Sequence, residues 1–278
     1  MKNLRTLLAS ALFAAVVSIS AIAYAQDEQP GFATVVRVQG IASYTLGDGN
    51  WHPLVAGRAL AAGSTIRTGD NGLVDVVLGK QIDFPQSQNP PSRISQASDA
   101  PVRGLISSKP AEVQNVIRLT PGTVLAIDKL TTGDTGADTV SDTELNLQQG
   151  KIFASVRKLS ATSQYLVKIP NGIAGVRGTE FSISADGATA VFESANGGLV
   201  LSLTIGGVTT TYVVAAGQML EPASGGTAPI DPGLESILSG IFTSLKTTYN
   251  VVVNFDYNNN NLYISSVTGV VGGHVNAK

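Results

Sequence analysis

Leu199-Val-Leu-Ser-Leu-Thr-Ile205 and Val208-Thr-Thr-Thr-Tyr-Val-Val214 are two alternating runs separated only by Gly206-Gly207. Two glycines in that position predict a two-residue hairpin, because the central residues of such a turn need positive φ. The turn sets the register: Ile205 opposite Val208, Leu203 opposite Thr210, Leu201 opposite Tyr212, Leu199 opposite Val214. That register gathers the large apolar side chains on one face. Ser202, Thr204, Thr209 and Thr211 fall on the other, with Val200 and Val213 as exceptions. A one-residue slip would reverse every side chain, so burial and pairing specify one register. A lone hairpin is marginal in water, so further strands must cover the apolar face.

The rest of the chain supplies them. Thirty glycines in 278 residues, with many Val, Thr and Ile, favour strands and turns over helices. Leu73–Leu78 reads as a buried strand. A unit of alternating apolar residues closed by a glycine turn recurs at Ile117–Gly122, Leu145–Gly150 and Val213–Gly217. Glycines 122, 150, 178, 198 and 217 recur roughly every 20–28 residues, a solenoid-like interval. The expectation is an all-β domain of stacked strands, either solenoid-like or a sandwich.

Lys168–Ile183 is the densest stretch. Asn171-Gly172 reads as a turn pair, and Phe181 and Ile183 alternate with Glu180 and Ser182 as in a half-buried strand. Gly175 and Gly178 bracket one charge, Arg177. Gly178 is read as a close approach of two backbones. Arg177 is read as buried against a carboxylate or carbonyl, since an unpaired buried charge is too costly. The stretch is either a fold-fixing corner or a docking point.

Elsewhere the pattern changes. Trp51 follows a tight loop and is read as a core plug. Residues 81–112 are rich in Pro, Ser and Gln and are read as an irregular insertion. Residues 223–232 read as a linker. Leu234, Ile237, Leu238, Ile241, Phe242 and Leu245 have helical spacing, with Asp231 as cap and Pro232 in the first turn. Two short strands, 250–257 and 262–270, would follow, so residues 233–271 form a small helix-plus-hairpin (α+β) segment.

No catalytic constellation is assembled. His52 and His274 stand far apart, and the chain has no cysteine, so a transition-metal, zinc or disulfide framework is not expected. Glu180 and Glu193 are candidate carboxylates only by default. Asp134, Asp138, Asp142 and Glu144 offer oxygen ligands for Ca²⁺, but their spacing fits no calcium loop, and a solvated loop is the reading. A net charge of −2 leaves no basic footprint for nucleic acid. No catalytic, metal or cofactor residue is assigned. At the N-terminus, Lys2 and Arg5 precede an apolar run from Leu7 to Ile22 and a small-x-small site, Ala23-Tyr24-Ala25. This reads as a signal peptide, residues 1–25, cut between Ala25 and Gln26. With it removed no transmembrane segment is expected, and the protein would be periplasmic or extracellular.

Ala174-Gly-Val-Arg-Gly-Thr-Glu-Phe181 resembles the signature of the FecR-type periplasmic domain, in Gly175, Val176, Arg177, Gly178, Thr179 and Phe181. Gly49–Leu54, Gly57, Gly63, Ile66–Thr68, Leu119–Val124 and Leu145–Ile152 resemble other parts of that family in order. The resemblance covers residues 31–222, interrupted by 81–112. It implies a domain that touches an outer-membrane receptor, in proteins whose cytoplasmic segment binds a sigma factor. Only six residues precede the apolar run, so that cytoplasmic segment is not expected here. The resulting expectation is an exported non-enzyme that works by contact with an envelope protein, as a sensory adaptor in signal transduction. A structural protein of the surface and a glycan-binding module remain open beside it.

Overall fold

The structure, a computed structural model, describes residues 28–80, 106–107, 115–134, 138–186, 189–222, 225–247, 251–256 and 261–266. In chain order the strands are β1 (Gln29–Pro30), β2 (Phe32–Gln39), β3 (Ala42–Thr45), β4 (His52–Pro53), β5 (Ala59–Leu60), β6 (Thr65–Thr68) and β7 (Leu73–Gly79). Then come β8 (Ile106–Ser107), β9 (Asn115–Leu119), β10 (Val124–Asp134), β11 (Thr139–Ser155), β12 (Gln164–Ile169), β13 (Gly172–Val176) and β14 (Glu180–Asp186). The last are β15 (Thr189–Asn196), β16 (Leu199–Ile205), β17 (Val208–Val214), β18 (Gln218–Glu221), β19 (Gly226–Pro229), helix α1 (Pro232–Thr247), β20 (Val251–Asp256) and β21 (Asn261–Ser266).

Eighteen of these strands form one continuous sheet folded over on itself. One half runs β4-β3-β6-β10-β11-β12-β13-β16-β17. The other runs β5-β2-β7-β9-β11-β14-β15-β18-β19. Strand β11 belongs to both. Its residues 139–149 pair in the first half, and Gly150–Ser155 pair in the second. At the join Gly150 has φ +89°, and a Cβ there would lie 2.6 Å from the Thr123 Cα. One buried cluster, with Tyr165, Val167 and Leu201 from the first half and Phe181, Ile183 and Phe192 from the second, fills the space between. The sheet is mixed, since β11 and β12 are parallel while the other pairs are antiparallel.

This is a sandwich-like layering rather than a solenoid. The glycine interval marks the crossings between halves: β9 to β10 at Gly122, β11 at Gly150, β13 to β14 at Gly178, β15 to β16 at Gly197-Gly198, and β17 to β18 at Gly217. A crossing needs a sharp bend, and successive bends recur with the length of a strand pair, which mimics a repeat period.

The Gly206-Gly207 hairpin has the register read from the sequence, Leu199 opposite Val214 through Ile205 opposite Val208. Both glycines have positive φ, 58° and 81°. The first motif turn lies one residue earlier than read, at Pro170-Asn171, and Gly172 pairs with Ile169 inside the sheet. A Cβ on Gly172 would come 2.3 Å from the Ser202 carbonyl oxygen, so this glycine serves strand approach.

Residues 223–232 are not a plain linker. Gln218–Glu221 and Gly226–Pro229 pair as a hairpin, and Pro229 is tolerated because β19 is an edge strand. Helix α1 begins as expected: the Asp231 carboxylate accepts from the Gly233 amide at 2.8 Å and the Leu234 amide at 3.4 Å. It packs on the outer face of the second half. Leu238, Phe242 and Leu245 bury against Val36, Val77, Val116 and Phe153, with Phe242 edge-on to Phe153 at 6.3 Å. Strands β21, β20 and β8 form a separate three-stranded sheet. Ile106–Ser107 of the expected insertion is thus a strand; the rest of residues 81–112, and the signal peptide with Ala25 and Gln26, lie outside the described residues. Among the described residues no helix is long and apolar enough to cross a membrane.

Tyr165 is wholly buried in the core, and its hydroxyl has no hydrogen-bond partner among the described residues. Burial alone pushes its phenol well above the ordinary 10.0. A group with a raised folded pKa holds its stabilising form below its unfolded value, so this contribution is lost as pH rises past about 10. Tyr165→Phe removes an unsatisfied hydroxyl at constant shape. We expect it to raise the unfolding free energy by about 1–3 kcal/mol in urea titration, and to flatten the stability loss above about pH 10.

Candidate partner-contact site

The motif Ala174–Phe181 lies where the chain leaves β13 in the first half and enters β14 in the second. Ala174, Val176 and Phe181 point into the core. Gly178 has φ +75°, and a Cβ there would sit 2.9 Å from the Lys158 Cα, so two backbones meet at this point. Thr179 is buried; its hydroxyl donates to the Gly198 carbonyl at 3.0 Å, and its own carbonyl accepts from the Val156 amide at 3.0 Å. A Cβ on Gly197 would in turn approach the Gly178 oxygen to 2.6 Å. Residues 156–158, 177–179 and 197–198 are therefore one knot of three adjoining segments. Gly175 lies in β13 opposite Val200, in ordinary contact.

Arg177 meets a carbonyl, as read, but it is not buried. It is exposed, and its guanidinium donates to the Ser160 carbonyl at 3.4 Å. The residue sits on the outside of the bend, where the apolar neighbours that made burial plausible have already turned inward. The motif thus divides into an inward set that closes the corner and one outward cation.

The acids take structural partners. Glu180 pairs with Lys246 of α1. Glu193 is buried, accepts from Ser182, and pairs with Lys151 at 2.9 Å. These two carboxylates each hold a lysine. Asp142 and Glu144 lie in β11, not in a solvated loop, because residues 139–144 pair with β10. Lys129 meets Asp142 at 2.5 Å and Lys168 meets Glu144 at 2.7 Å. The hydrogen bonds to Glu144 and Asp128 hold the Lys168 ammonium above its usual range, and those to Asp142 do the same for Lys129. Among the described residues no group of three His, Asp or Glu has metal-binding proximity.

Trp51 is not a core plug. It is 40% exposed, with the Arg67 guanidinium 4.2 Å over its ring. His52 is exposed and tilts against Tyr44 at 5.5 Å. Sequence reasoning missed the buried pair beneath α1. Asp75 is fully buried, and Arg118 grips it with two bonds of 2.7 and 2.8 Å while donating to Ser244 of α1 at 2.9 Å. The only available signal was a charge inside each of two apolar strands, Leu73–Leu78 and Val116–Leu119.

Residues 107–199 match the model of the FecR protein family. The matched segment is shorter than half of the chain. It holds β9 to β15, hence the shared strand β11 and the whole corner around Gly178. The match is shorter than the expected 31–222; the upstream motifs at 49–68 lie outside it. No curated protein matches the chain. Two crystal structures, at 2.50 and 1.65 Å, match at TM-score 0.30 and 12% identity; both are of a Parabacteroides distasonis ATCC 8503 protein provisionally described as an anti-sigma factor. The match covers 47% of this chain and 56% of that one, so the chain spans just over half of that protein's length.

The two parts of the motif predict opposite outcomes for stability. Gly178→Val puts a β-branched side chain at positive φ and against the Lys158 backbone. We expect it to cost about 3 kcal/mol or more, with a melting temperature several degrees lower. Arg177→Ala loses one exposed hydrogen bond and is expected to stay within about 0.5 kcal/mol of the parent in the same melts. Asp75→Ala takes from the buried Arg118 the carboxylate that holds it with two hydrogen bonds, and is expected to cost about 3–5 kcal/mol in chemical unfolding.

Proposed function

We propose that the protein is a non-catalytic, exported FecR-type module that works by protein–protein contact in the cell envelope, as a sensory adaptor. The observation that carries this reading is the family match over residues 107–199, which supports a regulatory role of a non-enzymatic kind. The geometry adds a candidate contact residue. Arg177 stands exposed on a bend whose backbone is held by Gly178 and Thr179, so its charge is presented from a rigid base. A fixed arginine is well suited to a carboxylate on a partner protein. Export rests on Lys2, Arg5, the apolar run Leu7–Ile22 and the site at Ala25–Gln26.

The reading is tested with immobilised protein. Parent and Arg177→Glu are exposed to envelope extract and, separately, to a panel of polysaccharides. The parent is expected to retain a protein that the variant binds at least about tenfold more weakly, with both melting alike. Saturable binding to a polysaccharide, with no protein retained, would replace this reading with a glycan-binding one. Equal retention by both variants would remove Arg177 from the contact.

A further inference from the structure

Among the described residues the folded-over sheet has five edge strands, and four are blunted. Strands β1 and β4 have two residues each and include Pro30 and Pro53, β5 has two residues, and β19 ends in Pro229. Short strands and prolines are the usual protection of a sheet edge. Strand β17 has neither. It spans seven residues, Val-Thr-Thr-Thr-Tyr-Val-Val, and among the described residues it pairs with β16 alone. From Ser194 to Leu220 the chain has no charged residue and no proline.

The direction of the free backbone groups follows from β16. The Thr204 amide donates to the Asn171 carbonyl, away from β17. Thr204 and its partner Thr209 are therefore a pair that exchanges no backbone bonds, and Thr209, Thr211 and Val213 aim their amides and carbonyls outward. Their side chains share the solvent face, where Val213 lies beside Val200, and both are exposed, 64% and 54%.

The core-facing side of β17 is uneven. Val214 is buried and Tyr212 is half-buried, while Thr210 and Val208 are exposed, Val208 at 66%. One end of the strand overhangs the core. We propose that this edge joins a second copy of this chain, antiparallel, about a two-fold axis at Thr211. Thr211 then faces Thr211, Thr209 faces Val213, and the backbone groups aimed outward on each strand bond across the axis. The overhanging Val208 of each copy comes to lie opposite the buried Val214 of the other, and Thr210 opposite Tyr212. The arrangement is self-complementary, and the uncharged edge sets no like charges against each other. It stands independently of the contact proposed at Arg177.

The absence of cysteine makes the register testable in the full chain. Thr211→Cys places one thiol opposite its copy, about 5.5 Å apart between Cα atoms, within disulfide range. Thr209→Cys places its two thiols roughly 14 Å apart, out of range. Under mild oxidation Thr211→Cys is expected to form a cross-linked dimer and Thr209→Cys to remain uncrosslinked. In sedimentation over a concentration range the parent is expected to dimerise reversibly. Thr211→Lys, exposed and therefore folded like the parent by circular dichroism, is expected to weaken the dimer about 100-fold. A parent that sediments as a monomer throughout, a Thr209→Cys that cross-links as readily as Thr211→Cys, or a Thr211→Lys that dimerises like the parent would each overturn the proposal.

Discussion

The sharing of β11 between two layers is the constraint on which the rest depends. A strand of seventeen residues cannot stay flat against a core on both sides of a fold. It turns at Gly150, and the turn leaves no room for a side chain because the Thr123 backbone lies against it. Thr123 in turn belongs to a small net of hydroxyls. Its amide donates to the Thr68 hydroxyl at 2.8 Å, and its own hydroxyl donates to the Lys151 carbonyl at 3.0 Å. The crossings of β6, β9 and β11 are thereby tied to one another. At the far end of β11, the carbonyl of Thr179 receives the Val156 amide, so the FecR-type corner is anchored to the same strand.

Helix α1 closes the outer face of the second half over a row that is half apolar and half charged. Burying Asp75 and Arg118 there is expensive, and two parallel hydrogen bonds together with the Ser244 hydroxyl offset the cost. An apolar pair would hold the helix as firmly. What the charged pair adds is direction: Ser244 must sit over Arg118, and Lys246 over Glu180, so the helix has one angular setting on a surface of Val and Phe.

Local patterns made part of this legible. The Gly-Gly hairpin and helix α1 were readable because each is decided by its own residues: turn chemistry in one, a capped 3.6-residue period in the other. The motif glycine at 178 was readable as a close approach, though the segment it meets, around Lys158, lies twenty residues away and bears no mark in the sequence. Arg177 was judged by its apolar neighbours and Trp51 by its place after a tight loop. A bend sends successive side chains in different directions, and each of the two is satisfied at the surface, one by a carbonyl and one by a guanidinium. Residues 223–232 were misread because Pro, Gly and Ser mark edge strands and turns as much as linkers. The solenoid-like interval was real as spacing but reported crossings between layers.

The inside and the outside of this fold answer to different demands. Inside, the fold is over-determined: the knot at Gly178, the net at Thr123 and the clamp on Arg118 each fix several segments at once. Outside, the two contacts proposed above use residues whose removal the fold would tolerate. Arg177 contributes one long hydrogen bond to its own chain, and β17 contributes backbone groups that its own sheet does not use. A residue that the fold does not need, held by a backbone that the fold cannot move, is the arrangement in which binding and folding separate. That separation explains why the motif's inward and outward members belong together in sequence although they answer to different physics. Gly178, Thr179 and Phe181 set where the bend is, and the bend sets where Arg177 stands.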